Sequence, residues 1–201
     1  MVNMRPFTAF EQKNLKFLVN HNVKFTQVEI TSTGLGKGIL DSTAPMRAFF
    51  LENNIHNYEK QLQGQEYKQI KTACILTDST QFFTKASFYR PNTKKGDPRM
   101  WIYGLGSYTE GNDIHVLFWY EATLYSINIT HIDIEKCYNS AIITPMQEVL
   151  KAINQEGNSV SEELLGRFRA VKDQWFESEV TADTGIGRTI ESFLGISMNS
   201  D

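Results

Sequence analysis

Residues 114–130 read Ile-His-Val-Leu-Phe-Trp-Tyr-Glu-Ala-Thr-Leu-Tyr-Ser-Ile-Asn-Ile-Thr, two apolar and aromatic runs around the short connection Glu121-Ala122-Thr123. Runs of this composition joined so tightly predict an antiparallel hairpin, 114–120 against 124–130. In the second run Tyr125, Ile127 and Ile129 fall on one side and Ser126, Asn128 and Thr130 on the other, the pattern of a sheet with one buried face. Outward from the hairpin, 70–76 and 81–89 have the same texture and predict two further strands. No β-α-β alternation surrounds them, which argues against a parallel doubly wound sheet and for a barrel or a sandwich.

Toward the N-terminus, Phe10, Leu15, Leu18 and Val19 punctuate residues 8–20 as the apolar stripe of a short helix. Val23 and Phe25 then alternate with polar residues, and Val28 and Ile30 do so one position out of phase, as in a strand with a bulge. Thr31-Ser32-Thr33-Gly34-Leu35-Gly36-Lys37-Gly38 follows, three glycines in five residues, which predicts a loop free in shape. Ser42 or Thr43 ahead of Pro45 starts a second helix, with Met46, Phe49 and Phe50 on its apolar side and Asn53-Asn54 as its stop. Residues 57–71 are polar and without period, and read as loop.

Toward the C-terminus the period becomes helical. Thr144-Pro145-Met146-Gln147 is a capping box, followed by Met146, Val149, Leu150 and Ile153 at helical spacing. A second box, Ser159 to Glu162, opens another predicted helix with Leu164, Leu165, Phe168, Val171 and Trp175 on one stripe. Residues 177–183 read as a linker. Residues 185–194 read as a short helix whose Ile186, Ile190, Phe193 and Leu194 need something to pack on, and seven residues follow it, so a second domain is expected to continue from there.

The 201 residues are 41% hydrophobic and 21% charged, the balance of a globular domain rather than a disordered chain. No stretch reaches the roughly 18 apolar residues a membrane-spanning helix requires, and the first ten residues carry no secretory leader, so a soluble intracellular, cytoplasmic protein is expected. Cys74 and Cys137 have no partner at zinc spacing and predict inert thiols without metal or cofactor.

The formal net charge is −3, yet residues 85–101 hold Lys85, Arg90, Lys94, Lys95 and Arg99 against Asp97 alone, a local +4 that leaves −7 on the other 184 residues. Lysines and backbone amides suit phosphates, and Arg and Asn suit guanine and adenine edges. The segment therefore reads as a DNA-binding loop or, more plainly, as a solvated strand connection. Gly36-Lys37 echoes the end of a phosphate-binding loop, but Thr31 stands where that motif needs glycine and Gly38 where it needs a hydroxyl. Glu66-Tyr67-Lys68 is a Glu-x-Lys of the kind metal nucleases use, but it lies in a polar, non-strand stretch with no carboxylate shortly upstream on a strand. His21, His56, His115 and His131 form no ligand or triad pattern. A protein-interaction barrel and a nuclease built on Glu66 and Lys68 stay open beside DNA binding.

The order of parts, from the N-terminal helix through the Thr-rich glycine loop and the helix after Pro45 to Phe88-Tyr89 and Arg99-Met100-Trp101, resembles the N-terminal effector domain of the EcoRII restriction endonuclease. That domain belongs to the DNA-binding pseudobarrel class shared with plant B-three domains. Thr184-Gly185-Ile186-Gly187-Arg188-Thr189-Ile190-Glu191-Ser192-Phe193-Leu194-Gly195-Ile196 separately resembles the opening helix of the MvaI/BcnI restriction endonucleases. The resemblance implies a mainly β fold with flanking helices: a seven-stranded open β-barrel over 1–156, a helix and linker over 157–183, and the truncated start of a nuclease domain over 184–201. It implies a monomer that grips double-stranded DNA in the major groove at a short CC(A/T)GG-like site. Two arms would do so, Thr31, Ser32, Thr33, Gly34, Gly36 and Lys37 in one, and Tyr89, Arg90, Asn92, Thr93, Lys94, Lys95, Asp97, Arg99 and Trp101 in the other. Base edges would fall to Arg90, Asn92, Arg99 and Lys37, and phosphates to Lys94, Lys95 and Thr33. Lys37 stands where the relative has a base-contacting histidine, and Asp97-Pro98-Arg99 replaces a more basic run. The chain itself would bind and not cut, its catalytic residues and their Mg²⁺ belonging to the missing C-terminal catalytic domain.

Overall fold

A computed structural model describes residues 4–171, with backbone alone for Lys94, Ala170 and Val171. The chain divides into two compact units, residues 1–154 and 155–201. In the first, seven strands form one nearly closed, barrel-like sheet in the order β1-β6-β7-β3-β4-β5-β2, flanked by helices. The strands are β1 (Phe25–Ile30), β2 (Leu40–Asp41), β3 (Gln69–Leu76), β4 (Gln81–Tyr89), β5 (Arg99–Ile102), β6 (Asp113–Tyr120) and β7 (Thr123–Asn128). All neighbours are antiparallel except β3 and β7, which run parallel from Ala73↔Leu124 to Leu76↔Ile127.

The predicted hairpin is β6 and β7, with Tyr120 opposite Thr123 across Glu121 and Ala122, both at positive φ. Its burial corrects the expectation of one buried face, because every residue of β7 is buried. One core takes Val28, Leu40, Ile75, Phe88, Met100, Leu117 and Leu124 from all seven strands, with Met46, Phe49 and Phe50 of α3 (Ala44–Glu52), and fills the barrel. A second joins Leu76, Ile114, Val116, Phe118, Tyr125 and Ile127 on the outside of β3, β6 and β7 to Leu18, Ile134, Met146 and Leu150. Those four come from α1 (Ala9–Asn20), α4 (Ile134–Tyr138) and α5 (Pro145–Val171). Ser126 and Asn128 therefore point into the barrel and not to solvent.

There they meet polar partners, as buried donors and acceptors must. Asn128 Nδ2 donates to Asp113 at 2.8 Å, His131 bonds the other oxygen of Asp113 at 2.9 Å, and His115 Nδ1 bonds Ser126 at 2.9 Å. Burial pushes the His115 imidazole down to about 4. Across the outside, Arg5 ion-pairs with Glu11 while its Nε donates to the Asn112 carbonyl at 2.9 Å. Hydrogen-bonded by Arg5, and also by Thr130 and the Thr8 amide, the Glu11 carboxyl lies at about 2 although burial pushes the other way.

Four local expectations are corrected. The buried side of α1 is Glu11, Asn14 and Leu18, while Phe10 and Val19 are exposed; Asn14 is bonded to the Ile129 and Ile132 carbonyls and the Ile134 amide. The phase change before Ile30 is not a bulge, since β1 pairs with β6 without interruption from Phe25↔Phe118 to Ile30↔Asp113. Phe25 packs on the outer core and Val28 on the inner one, so both phases are buried. Residues 32–37 are helical rather than free, and α5 runs through Gly157, Asn158 and the second capping box as one helix of 27 residues. Within the second unit that helix carries exposed Val160, Leu164, Leu165 and Phe168. The stripe through Trp175, the linker and the segment 184–196 lie outside the described residues. No helix among the described residues is long and apolar enough to cross a membrane.

Candidate nucleic-acid interface

Two connections face one cleft of about 430 Å³, lined among others by Glu29, Thr31, Thr33, Lys37, Asp41, Thr93 and Arg99. The first arm joins the two edge strands, β1 and β2, through α2 (Ser32–Lys37). Its shape is closed by its own residues. Thr31 Oγ1 accepts from the Gly34 amide at 3.0 Å, an N-cap. At the other end Gly38 takes φ 62°, its amide reaches the Leu35 carbonyl and the Ile39 amide reaches the Gly34 carbonyl at 2.9 Å, a Schellman closure. Gly38 lies against Trp101, where a β-carbon would stand 3.5 Å from the ring. Thr31, Ser32, Thr33, Gly36 and Lys37 are exposed, and Gly34 is half-buried, where a β-carbon would collide with the Ile39 carbonyl.

The second arm, between β4 and β5, is held by residues far away in the chain. Arg90 donates from Nε to the Gly96 carbonyl at 2.8 Å and from Nη1 to the Gln61 and Tyr58 carbonyls at 3.2 and 3.4 Å. The Gly64 amide donates back to the Arg90 carbonyl at 2.8 Å, and Gln63 bonds the Lys95 carbonyl. Lys95 and Gly96 sit at φ 56° and 72°, the left-handed turn that reverses the chain. Ser42 hydroxyl donates to Tyr58 Oη, which donates to the Arg99 carbonyl at 2.9 Å, fixing the start of β5; burial pushes the Tyr58 phenol up, so it keeps that proton.

The expected second-arm residues separate accordingly. Tyr89 is buried under Lys68, and Trp101 is packed against the inner core. Asn92, Thr93, Lys95 and Asp97 are exposed, and Thr93 reaches the cleft. Lys94 has its backbone in the turn of residues 94–96. Arg99 is mostly enclosed, 15% exposed, with Nε 3.4 Å from the Asp41 carboxylate, which is 76% exposed. Two carboxylates in the cleft, Glu29 and Asp41, and the brace residues Tyr58, Gln61 and Gln63 were not anticipated. Tyr58, Gln61 and Gln63 lie in the polar stretch 57–71 that shows no period, and Glu29 reads only as a polar position of an alternating strand.

Glu66 lies in a 3-10 turn over Gln65–Tyr67, and among the described residues no three His, Cys, Asp or Glu side chains are grouped to hold a metal. Cys74 is buried and Cys137 half-buried, and burial pushes both thiols up.

No curated protein and no solved structure matches the chain. The family model described as the MvaI/BcnI restriction endonuclease family matches residues 165–201, a stretch that contains 184–196. Over that stretch alone the chain is similar to Type II restriction enzymes of that family.

Proposed function

We propose that the barrel is a sequence-specific double-stranded DNA-binding effector domain of a Type II restriction endonuclease. The observation that carries this reading is one cleft walled by two arms, with the exposed donors Thr31, Thr33 and Lys37 on one side and exposed Thr93 with the mostly enclosed Arg99 on the other. Threonine hydroxyls suit phosphate oxygens, and a lysine or an arginine in the cleft suits guanine O6 and N7. Arg90 acts as the brace of the second arm, since its donors are used on three carbonyls. Lys37, Asn92 and Arg99 carry the base contacts, and Lys94, Lys95 and Thr33 the phosphates. The family match at 165–201 supports the restriction-enzyme setting, in which cleavage and its Mg²⁺ belong to a nuclease domain of the MvaI/BcnI type.

Fluorescence anisotropy of the chain on a CC(A/T)GG duplex and on a scrambled duplex, over several salt concentrations, tests this. A preference of about a thousandfold that survives added salt is expected. Binding that fades with salt and shows no preference would leave a phosphate binder and defeat the sequence-reading claim. Lys95→Ala is expected to weaken both duplexes alike and to lower the salt slope by about one.

A further inference from the structure

We infer that Asp41 and Arg99 form one reader of a G·C base pair, a specificity device that rests on the DNA-binding reading and adds the base it selects. Strand β2 is two residues long and pairs with β5 as Leu40↔Met100 and Asp41↔Arg99. Leu40 and Met100 are buried in the barrel, so the pleat turns Asp41 and Arg99 together to the outer face, where both line the cleft. An exposed carboxylate in a cleft for a polyanion opposes binding wherever it meets phosphate. The groups on DNA that reward it are base amino groups, and cytosine N4 is the one that acidic side chains accept from in the major groove.

Arg99 supplies the complement. Its Nε is buried and makes no hydrogen bond among the described residues; it lies beside one oxygen of Asp41, at 3.4 Å. Held on that side, the guanidinium keeps its two terminal nitrogens for the paired acceptors of guanine, O6 and N7. The second oxygen of Asp41 remains for cytosine N4–H. A donor fork and an acceptor side by side match what a G·C pair presents, and they do not match T, whose O4 would face a carboxylate. Asp41 thus contacts the base and also orients Arg99, whereas Lys37 on the opposite arm has no carboxylate partner among the described residues.

The test is selection from a randomised duplex library with the wild-type chain, Asp41→Asn and Arg99→Lys, followed by affinities on the enriched site and its single-base variants. Asp41→Asn is expected to leave the melting midpoint unchanged, because the side chain is 76% exposed, and to lose about tenfold or more discrimination at one C·G position while other positions hold. Arg99→Lys is expected to relax the same position, and relaxation at a different base pair would overturn the pairing. The double variant should lose little beyond Arg99→Lys alone, as a coupled pair requires. Tighter binding of every duplex by Asp41→Asn would overturn the pairing and reduce Asp41 to a repulsive charge. An unchanged site would overturn it as well. A wild-type chain that enriches no sequence would defeat the DNA-binding reading itself, a result distinct from both.

Discussion

The two arms flank the same cleft but are built in opposite ways. The first carries its own caps: Thr31 at one end, Gly38 at the other, and all its closing bonds span five residues or fewer. The second closes locally only through the Gly96 amide on the Thr93 carbonyl and Arg90 on the Gly96 carbonyl, and Arg90, Gly64 and Gln63 also tie it to the stretch between Tyr58 and Gly64 across roughly thirty residues of chain. A locally closed arm can be altered without disturbing the barrel. One held by distant carbonyls shares its stability with the fold.

Acid is expected to produce the largest effect, because it loosens the barrel from which both arms hang. His115 stays neutral in the folded state down to about pH 4, whereas the unfolded chain binds a proton near 6.5. Unfolded molecules therefore take up the proton first, and stability falls from about pH 6.5 to 4 by of order 3 kcal/mol. Glu11, at about 2 when folded against 4.5, adds a similar loss between about pH 4.5 and 2. Urea denaturation at stepped pH should show both windows, and His115→Gln should shrink the upper one alone, leaving the smaller share of His56, whose imidazole burial also pushes down. A flat profile between pH 4 and 6.5 in the wild type would contradict the buried neutral imidazole.

Arg90→Ala comes next. It removes a donor from three carbonyls, of which only Tyr58 keeps another in the Gln61 amide, and should cost about 2–3 kcal/mol of global stability while abolishing DNA binding of any sequence. If denaturation is unchanged and only sequence preference is lost, Arg90 is a base reader and the contrast between the arms fails. Gly38→Val forces a β-branched residue to φ 62° and should cost about 1–2 kcal/mol, felt as weakened DNA binding more than as a lower melting midpoint. Thr31→Ala removes one cap bond from a six-residue helix, worth about 1 kcal/mol locally. Hydrogen exchange at Gly34 should quicken while the Arg90 brace is untouched.

The same contrast explains what was legible in the sequence. Thr31, the glycines of α2, Pro45 and the hairpin 114–130 act through neighbours in the chain, so their elements could be named, although two local caps turned an expected loop into a helix. A mainly β fold followed from runs such as 81–89, but those runs left barrel and sandwich open, and the barrel was implied by the resemblance to the EcoRII effector domain. Illegible were the features that depend on partners far away: that Ser126 and Asn128 face inward because His115 and Asp113 wait there, and that Glu11 and Asn14 are the buried side of α1. Strand β2, at two residues, is too short to leave a period, and with it went Asp41. Helix α5 was split in two because Ser159 can cap a helix, and only its surroundings decide whether it begins one or merely rides within it.

The strand order carries one more consequence. The sheet's two unpaired edges are β1 and β2, and the segment joining them is the first arm itself. Exposed strand edges recruit other chains, and β2 limits that hazard by its brevity, leaving β1 as the longer free margin. The recognition arm is thus also a hem along the seam of the barrel. Lesions that unravel it should reveal themselves as a protein that precipitates at high concentration before it ceases to fold.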